Sequence, residues 1–257
     1  MKKFIYLFLF TTLLFNQDYS LYFDGQDDYV RNEDNHGIFG NHSFTISTNF
    51  FANNINENFS SLVSLGSNSN SGRNENSLVI SETNVIRWNN QIASNDCYGI
   101  TPLNSNQWYH ALATYNENTQ TVYLYLDGEL ENSCTIEDFT FNQQGITIGA
   151  RIGSGVNAHF NGLIDNVAIF DNYISSSQSD FELIINNQMT GQELAFYNFN
   201  AESATVLYDQ SENEYDGIIY GATRIIPGCT DDLACNYNLD ADFDDGSCDY
   251  SCHENGE

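Results

Sequence analysis

Between Tyr19 and about Ile174 the chain alternates short apolar runs with polar stretches rich in Asn, Ser and Gly. The runs are Ser43 to Phe51, Ser61 to Leu65, Ser77 to Ile80, Val85 to Trp88, Trp108 to Leu126, Gly145 to Ile148 and Gly162 to Phe170, and the longest polar gap is Gly66 to Asn76. Strand-length runs punctuated in this way predict an all-β protein, an antiparallel β-sandwich. One helix is predicted, over Ser175 to Asn187, where Phe181, Leu183, Ile184 and Ile185 follow a Ser-rich start. A second block, Gln192 to Ile226, repeats the strand pattern at Leu194–Phe199 and Tyr215–Ala222. At roughly 35 residues it is too small to hold a core of its own, so it is expected to add strands to the same sandwich.

Trp108 to Gly128 reads as a hairpin: a run ending at Tyr115, a polar connection over Asn116–Gln120, a return over Thr121–Leu126, and a turn at Asp127-Gly128. Pairing Tyr115 with Thr121 puts Leu112, Val122, Leu124 and Leu126 on one face, which suits a core. The other face then carries Tyr109, Tyr115, Tyr123 and Tyr125, with Ala111 and Ala113 leaving room for the rings. Slipping the pairing by one residue would exchange the faces. As placed, the four tyrosines form a candidate ligand surface, since rings stack on sugar faces and phenols bond to sugar hydroxyls. Trp108 and His110 are read as structural.

These residues carry a resemblance. Trp108-Tyr109-His110-Ala111-Leu112-Ala113 with Val122–Gly128, the opening Leu21-Tyr22-Phe23-Asp24-Gly25-Gln26-Asp27-Asp28-Tyr29-Val30 and the closing Phe160–Phe170 resemble strands of laminin-G-like, concanavalin A-like jelly-roll domains. Asn166 departs from the family, which more often has an acidic residue there. The resemblance implies a jelly roll over residues 18–190, a strand extension over 191–226, and a binding or adhesion role with a glycan as partner. It also implies a calcium ion near the first strand, held by Asp165 with Asp24 or Asp28. Alternation supports this, because it turns Asp165 toward the core beside Leu163, Val167 and Ile169, where a carboxylate needs a cation. A salt bridge to Arg151 is the alternative for Asp165, and turn formation the alternative for Asp24.

Charge narrows the partners. Seven Lys plus Arg face 35 Asp plus Glu, for a formal net charge of −28, which excludes nucleic acid and anionic membranes and welcomes divalent cations. Both lysines, Lys2 and Lys3, precede an apolar stretch from Phe4 to Phe15. That segment is too short to span a bilayer and reads as a signal peptide over residues 1–17, so the protein is expected to be secreted and not embedded in a membrane. Cys97 and Cys134 lie in the body, and Cys229, Cys235, Cys248 and Cys252 in the tail. Even numbers in both groups favour disulfides, and the tail lacks the paired spacing of a zinc knuckle.

Pro227-Gly228 marks the start of a short Cys- and Asp-rich appendage, 227–257. Asp240, Asp242 and Asp244 alternate, and Asp249 is placed to close a calcium shell, the rival being a solvated acidic linker. The tail resembles thrombospondin type 3 calcium repeats and the Cys/Asp-rich units at the ends of secreted bacterial surface proteins. That resemblance implies pairing of Cys229 with Cys248 and of Cys235 with Cys252. Catalysis finds no local support: there is no Glu-x-Asp-x-x-Glu, no Gly-x-Ser-x-Gly and no His-Glu-x-x-His. The expectation is a secreted carbohydrate-binding or adhesion module with structural calcium. A glycoside hydrolase, or a module of one, and an architectural protein contacting other proteins are the alternatives.

Overall fold

The computed structural model describes residues 18–34, 36–38, 40–55, 59–66, 76–90, 96–136, 145–152, 155–201 and 203–253. The expected leader over residues 1–17, and most of the polar gap after Gly66, lie outside these. Two eight-stranded antiparallel sheets stack face to face. The first runs, edge to edge, Glu129–Thr135, Thr121–Leu126, Trp108–Asn116, Phe44–Ala52, Asn161–Phe170, Ser20–Asp24 and Thr223–Ile225, with Ala195–Tyr197 also paired to Asn161–Phe170. The second runs Val206–Leu207, Gly217–Tyr220, Tyr29–Asn32, Ile146–Ile148, Ser60–Leu65, Asn76–Ile80, Ile86–Asn89 and Cys97–Tyr98. Residues 191–226 thus lend strands to both sheets. Among the described residues, no helix is long and apolar enough to cross a membrane.

Alternation explains the core. Leu21, Phe23, Phe44, Ile46 and Phe50 point inward from the first sheet and meet Val30, Leu62, Leu78 and Trp88 from the second. Phe44 stacks on Trp88 at 4.6 Å and on Tyr115 at 5.8 Å between centroids, contacts that add to simple burial. The disulfide Cys97–Cys134 ties the last strand of the second sheet to the edge strand of the first.

The central hairpin forms with a register one residue away from that expected. Asn116, not Tyr115, lies opposite Thr121, because the connection is the four residues 117–120 and Asn116 extends the strand. The tyrosine face is therefore split. Tyr109, Ala111, Ala113 and Tyr115 face the core with Val122, Leu124 and Leu126. Leu112 and Tyr125 face outward into a second apolar cluster with Phe170, Phe181 and Ile184, against which Tyr123 packs. The core accepts Tyr115 and Tyr109 because their hydroxyls reach its rim: Tyr115 Oη donates to Asn41 Oδ1 at 2.6 Å, and Tyr109 Oη accepts from Asn104 N at 2.9 Å. Tyr109, Tyr115 and Tyr125 are all buried, so the four tyrosines offer no common ligand surface.

The helix is shorter than expected, Ser179–Ile185, and covers this outer cluster. At the other end of the same face the tail docks. Phe243 lies 5.9 Å from Tyr22 and 5.6 Å, edge-on, from Phe51, while Phe51 also meets Trp108 at 5.7 Å. Two disulfides, Cys229–Cys248 and Cys235–Cys252, staple the tail, and Pro227–Gly228 pairs in parallel with Phe243–Asp244.

Candidate functional site

Between helix and tail, the outer face of the first sheet changes from apolar to polar. Strand register places His110 opposite Asn49 and Asn49 opposite Asp165, so three neighbouring strands contribute a polar row. Asp127 extends the row: its amide donates to His110 O and its Oδ1 accepts from His110 N, both at 2.8 Å. Asp127 and Gly128 have φ of 50° and 81°, the two positive values that a type I′ hairpin turn requires. The turn aims the Asp127 carboxylate back over the sheet.

A cleft of about 230 Å³ opens at this end of the row, lined by Asn49, Trp108, His110, Asp127, Ile185 and Asn187 together with Tyr109, the one of the four expected ligand-surface tyrosines that reaches it. Its floor leaves hydrogen-bonding capacity unused. Ser47 Oγ and His110 Nε2 are 2.7 Å apart, but His110 Nδ1 and Asn49 Oδ1 are buried with no partner. Unpaired buried polar atoms cost about 1–3 kcal/mol each and call for an explanation. Burial also holds the His110 imidazole down to about 4, so it is neutral at physiological pH. Trp108 and His110, expected to be structural, both line this cleft. Asp127 was legible only as part of its Asp-Gly turn, and Asn49 gave no local signal.

Asp165 sits further along the row and departs from its expected environment. A bulge between Asp165 and Ala168, with Asn166 at φ 49°, breaks the alternation, so Val167 and Ile169 face the core while Asp165 shares the outer face with Leu163. Asn tolerates this left-handed conformation better than most residues, which suits the family departure at position 166. Asp165 is also at the wrong end of its strand to join Asp24: Asp24 pairs with Asn161, four residues away. The expected Asp24–Asp28–Asp165 site is therefore not assembled. Nor does Arg151 meet Asp165, its guanidinium donating instead to Asn157 and stacking on Phe59.

Burial pushes the Asp165 carboxyl well above its ordinary 3.8; the Asp18 charge adds to this, and the hydrogen bond from Asn166 N opposes it. The folded state therefore holds a proton that the unfolded chain has lost above about pH 4. The associated stability is present at acid pH and lost as pH rises through the folded value. Asp165→Asn, which keeps the shape without the charge, is expected to raise stability at pH 7 by about 1–2 kcal/mol, with a Tm gain of roughly 3–6 °C. Melts of the two proteins should converge near pH 4, and a gain that persisted there would contradict the assignment.

The first turn gathers a different acidic set. Single ligand atoms of Asp24, Asp27 and Asp28 lie within 4.8 Å of one another. Asp28 is buried, its Oδ2 accepting from Asp24 N at 2.8 Å. Burial raises its pKa, and the neighbouring Asp24 and Asp27 charges add to the rise. Hard oxygens drawn together against their own repulsion fit a calcium ion. In the tail, Asp242 Oδ2 accepts from Ile226 N, Asp244 Oδ1 from Gly246 N and Asp249 from Ser251, while Asp240 N donates to Asn238 Oδ1. Among the described residues these four do not form a comparable group.

Comparison with known proteins matches this geometry to a fold. A family model described as the Concanavalin A-like lectin/glucanases superfamily covers residues 24–178, ending just before the helix. No curated protein matches the chain in sequence. Among solved structures, a presumed carbohydrate binding protein from Bacteroides ovatus superposes with a TM-score of 0.64 at 18% identity, over 81% of this chain and 59% of that one. The chain thus spans less than two thirds of that protein's length. The CBM40 of Ruminococcus gnavus IT-sialidase, bound to α2,3 sialyllactose, gives 0.53 at 15% identity over 65% and 96%. A SAP-like pentraxin from Limulus polyphemus gives 0.54 at 11% over 81% and 95%. At these identities the likeness is one of fold.

Proposed function

The chain belongs to the concanavalin A-like lectin/glucanases superfamily, and on that premise we propose that it is a secreted carbohydrate-binding or adhesion module with no catalysis of its own. The observation that carries this reading is the outer-face cleft, where the Trp108 indole stands beside buried polar atoms without partners. An apolar wall for the C–H face of a sugar and fixed polar groups for its hydroxyls are the elements of a glycan seat. The solved relatives named for carbohydrate binding support the reading by analogy of fold. The glycan partner belongs to a cell surface or matrix, where disulfides persist. Structural calcium is assigned to Asp24, Asp27 and Asp28.

The test is a glycan array and a polysaccharide panel, each run with calcium and with EDTA. The expected result is retention of glycans, no new reducing ends, and a Tm that falls in EDTA and recovers with calcium. Release of reducing ends would make the protein a hydrolase, and failure to bind any glycan would end the carbohydrate reading. A melt indifferent to both additions would remove the calcium.

A further inference from the structure

The cleft has a composition, a size and a charge, and together they specify more than "a sugar". Its floor is a matched pair on directly opposed residues of two strands. His110 Nδ1 and Asn49 Oδ1 are both buried and unpartnered, and His110 itself is only 8% exposed. Ser47 Oγ and His110 Nε2 share a hydrogen bond at 2.7 Å; in the tautomer in which Ser47 donates, the imidazole proton sits on Nδ1, a donor next to the Asn49 Oδ1 acceptor. A donor and an acceptor side by side complement two adjacent hydroxyls, each of which can give and take a hydrogen bond.

Size limits the occupant. About 230 Å³ falls below the roughly 300–1,000 Å³ of pockets that enclose drug-sized ligands. The space has room for a single sugar ring, and further residues of a chain would lie outside it. Charge limits it further. Asp127 is among the lining residues, no Arg or Lys is, and the chain as a whole carries −28. A carboxylated or sulfated sugar would enter against repulsion with nothing to pair with it.

We propose that the cleft between the helix and the docked tail binds one neutral pyranose at the end of a glycan, two adjacent ring hydroxyls bridging His110 Nδ1 and Asn49 Oδ1, with Trp108 as the apolar wall. This rests on the carbohydrate-binding reading and deepens it to a subsite and a ligand class. The seat is assembled from four separated segments: one strand supplies Asn49, its partner supplies Trp108 and His110, the hairpin turn supplies Asp127, and the end of the helix and the residues just after it supply Ile185 and Asn187. Burying hydroxyls here satisfies the two orphaned atoms, whereas a deoxy sugar would leave one of them unpaired. Losing such a bond discriminates more sharply than losing a methylene does.

The experiment uses the full secreted chain. Methyl glycosides of neutral hexoses and N-acetylhexosamines, glucuronic acid and sialyllactose are titrated calorimetrically into the wild type, Asn49→Asp and His110→Phe, with melts to establish that the variants fold. In parallel, the wild-type His110 ring nitrogens are followed by NMR through the same titrations, a readout that needs no variant. A neutral glycoside is expected to bind and to shift the Nδ1 resonance. Asn49→Asp and His110→Phe should weaken it at least tenfold, and the acidic sugars should not bind. If a glycan binds while the Nδ1 resonance stays put and both variants retain full affinity, the subsite is wrong and the carbohydrate reading survives. Preference for the acidic sugars would overturn the ligand class alone. No binding by any sugar on the panel or array would overturn both.

Discussion

Replacing Cys97 and Cys134 together by serine is expected to lower the Tm of the body by roughly 8–15 °C, taking about 2–4 °C per kcal/mol for a domain of this size. The bond closes a 37-residue loop, and removing that constraint from the unfolded chain costs about 4 kcal/mol on the loop-entropy scale. Its position makes the native state equally dependent on it. Cys97 lies on the final strand of one sheet and Cys134 on the edge strand of the other, so the bond fastens the two layers along one open side. Cys97 is fully buried, and a serine hydroxyl there would also have to find a partner. The two tail disulfides provide the contrast. They close 19 and 17 residues within the tail, so removing them should release the tail and leave the body's transition within a few degrees of wild type. Calorimetry of the three proteins decides the matter, and a body transition unmoved by loss of Cys97–Cys134 would refute the account.

Gly162→Ala should be more damaging still and abolish the folded state at growth temperature. Gly162 sits between two partners, opposite Phe23 on one side and Ala52 on the other. A Cβ at this position would fall 2.0 Å from the Phe51 carbonyl oxygen and 3.0 Å from Ala52 Cα, and the residue has φ of 143°. Both obstacles are backbone atoms held in the ladder, so neither can move without breaking strand pairing in the middle of the first sheet. The cost exceeds about 4 kcal/mol, in the range reserved for substitutions with a specific steric cause. Expression of the variant as folded protein with a near-native melt would show that the strands can separate there, contrary to this reading.

The same sheet shows how far the order of residues can be read directly. Strand-length apolar runs, Gly and Asn at turns, and the even split of cysteines point to a two-layer antiparallel fold with oxidised pairs. The two sheets and three disulfides are present. These features were legible because they are local or depend only on parity. A period of two marks a strand wherever it occurs, and two cysteines in the body have a single possible mate each.

Which face is which was decided elsewhere. In a strand, alternation fixes residues relative to one another but not to the core, so a one-residue difference in loop length reverses every assignment. Ending the hairpin loop at Gln120 with Asn116 in the strand turned Tyr109 and Tyr115 inward and left Tyr123 and Tyr125 facing outward. At Asp165 a single bulged residue did the same within one strand. The cleft depends on these outcomes twice over, since His110 meets Asn49 only in the observed register and Asp127 reaches them only through its turn. Asn49, His110, Asp127 and Asn187 are up to 138 positions apart along the chain. The sequence determined the layers; strand pairing, loop length and the docking of the helix decided the site, because contacts between distant segments are set by packing and not by the spacing of residues along the chain.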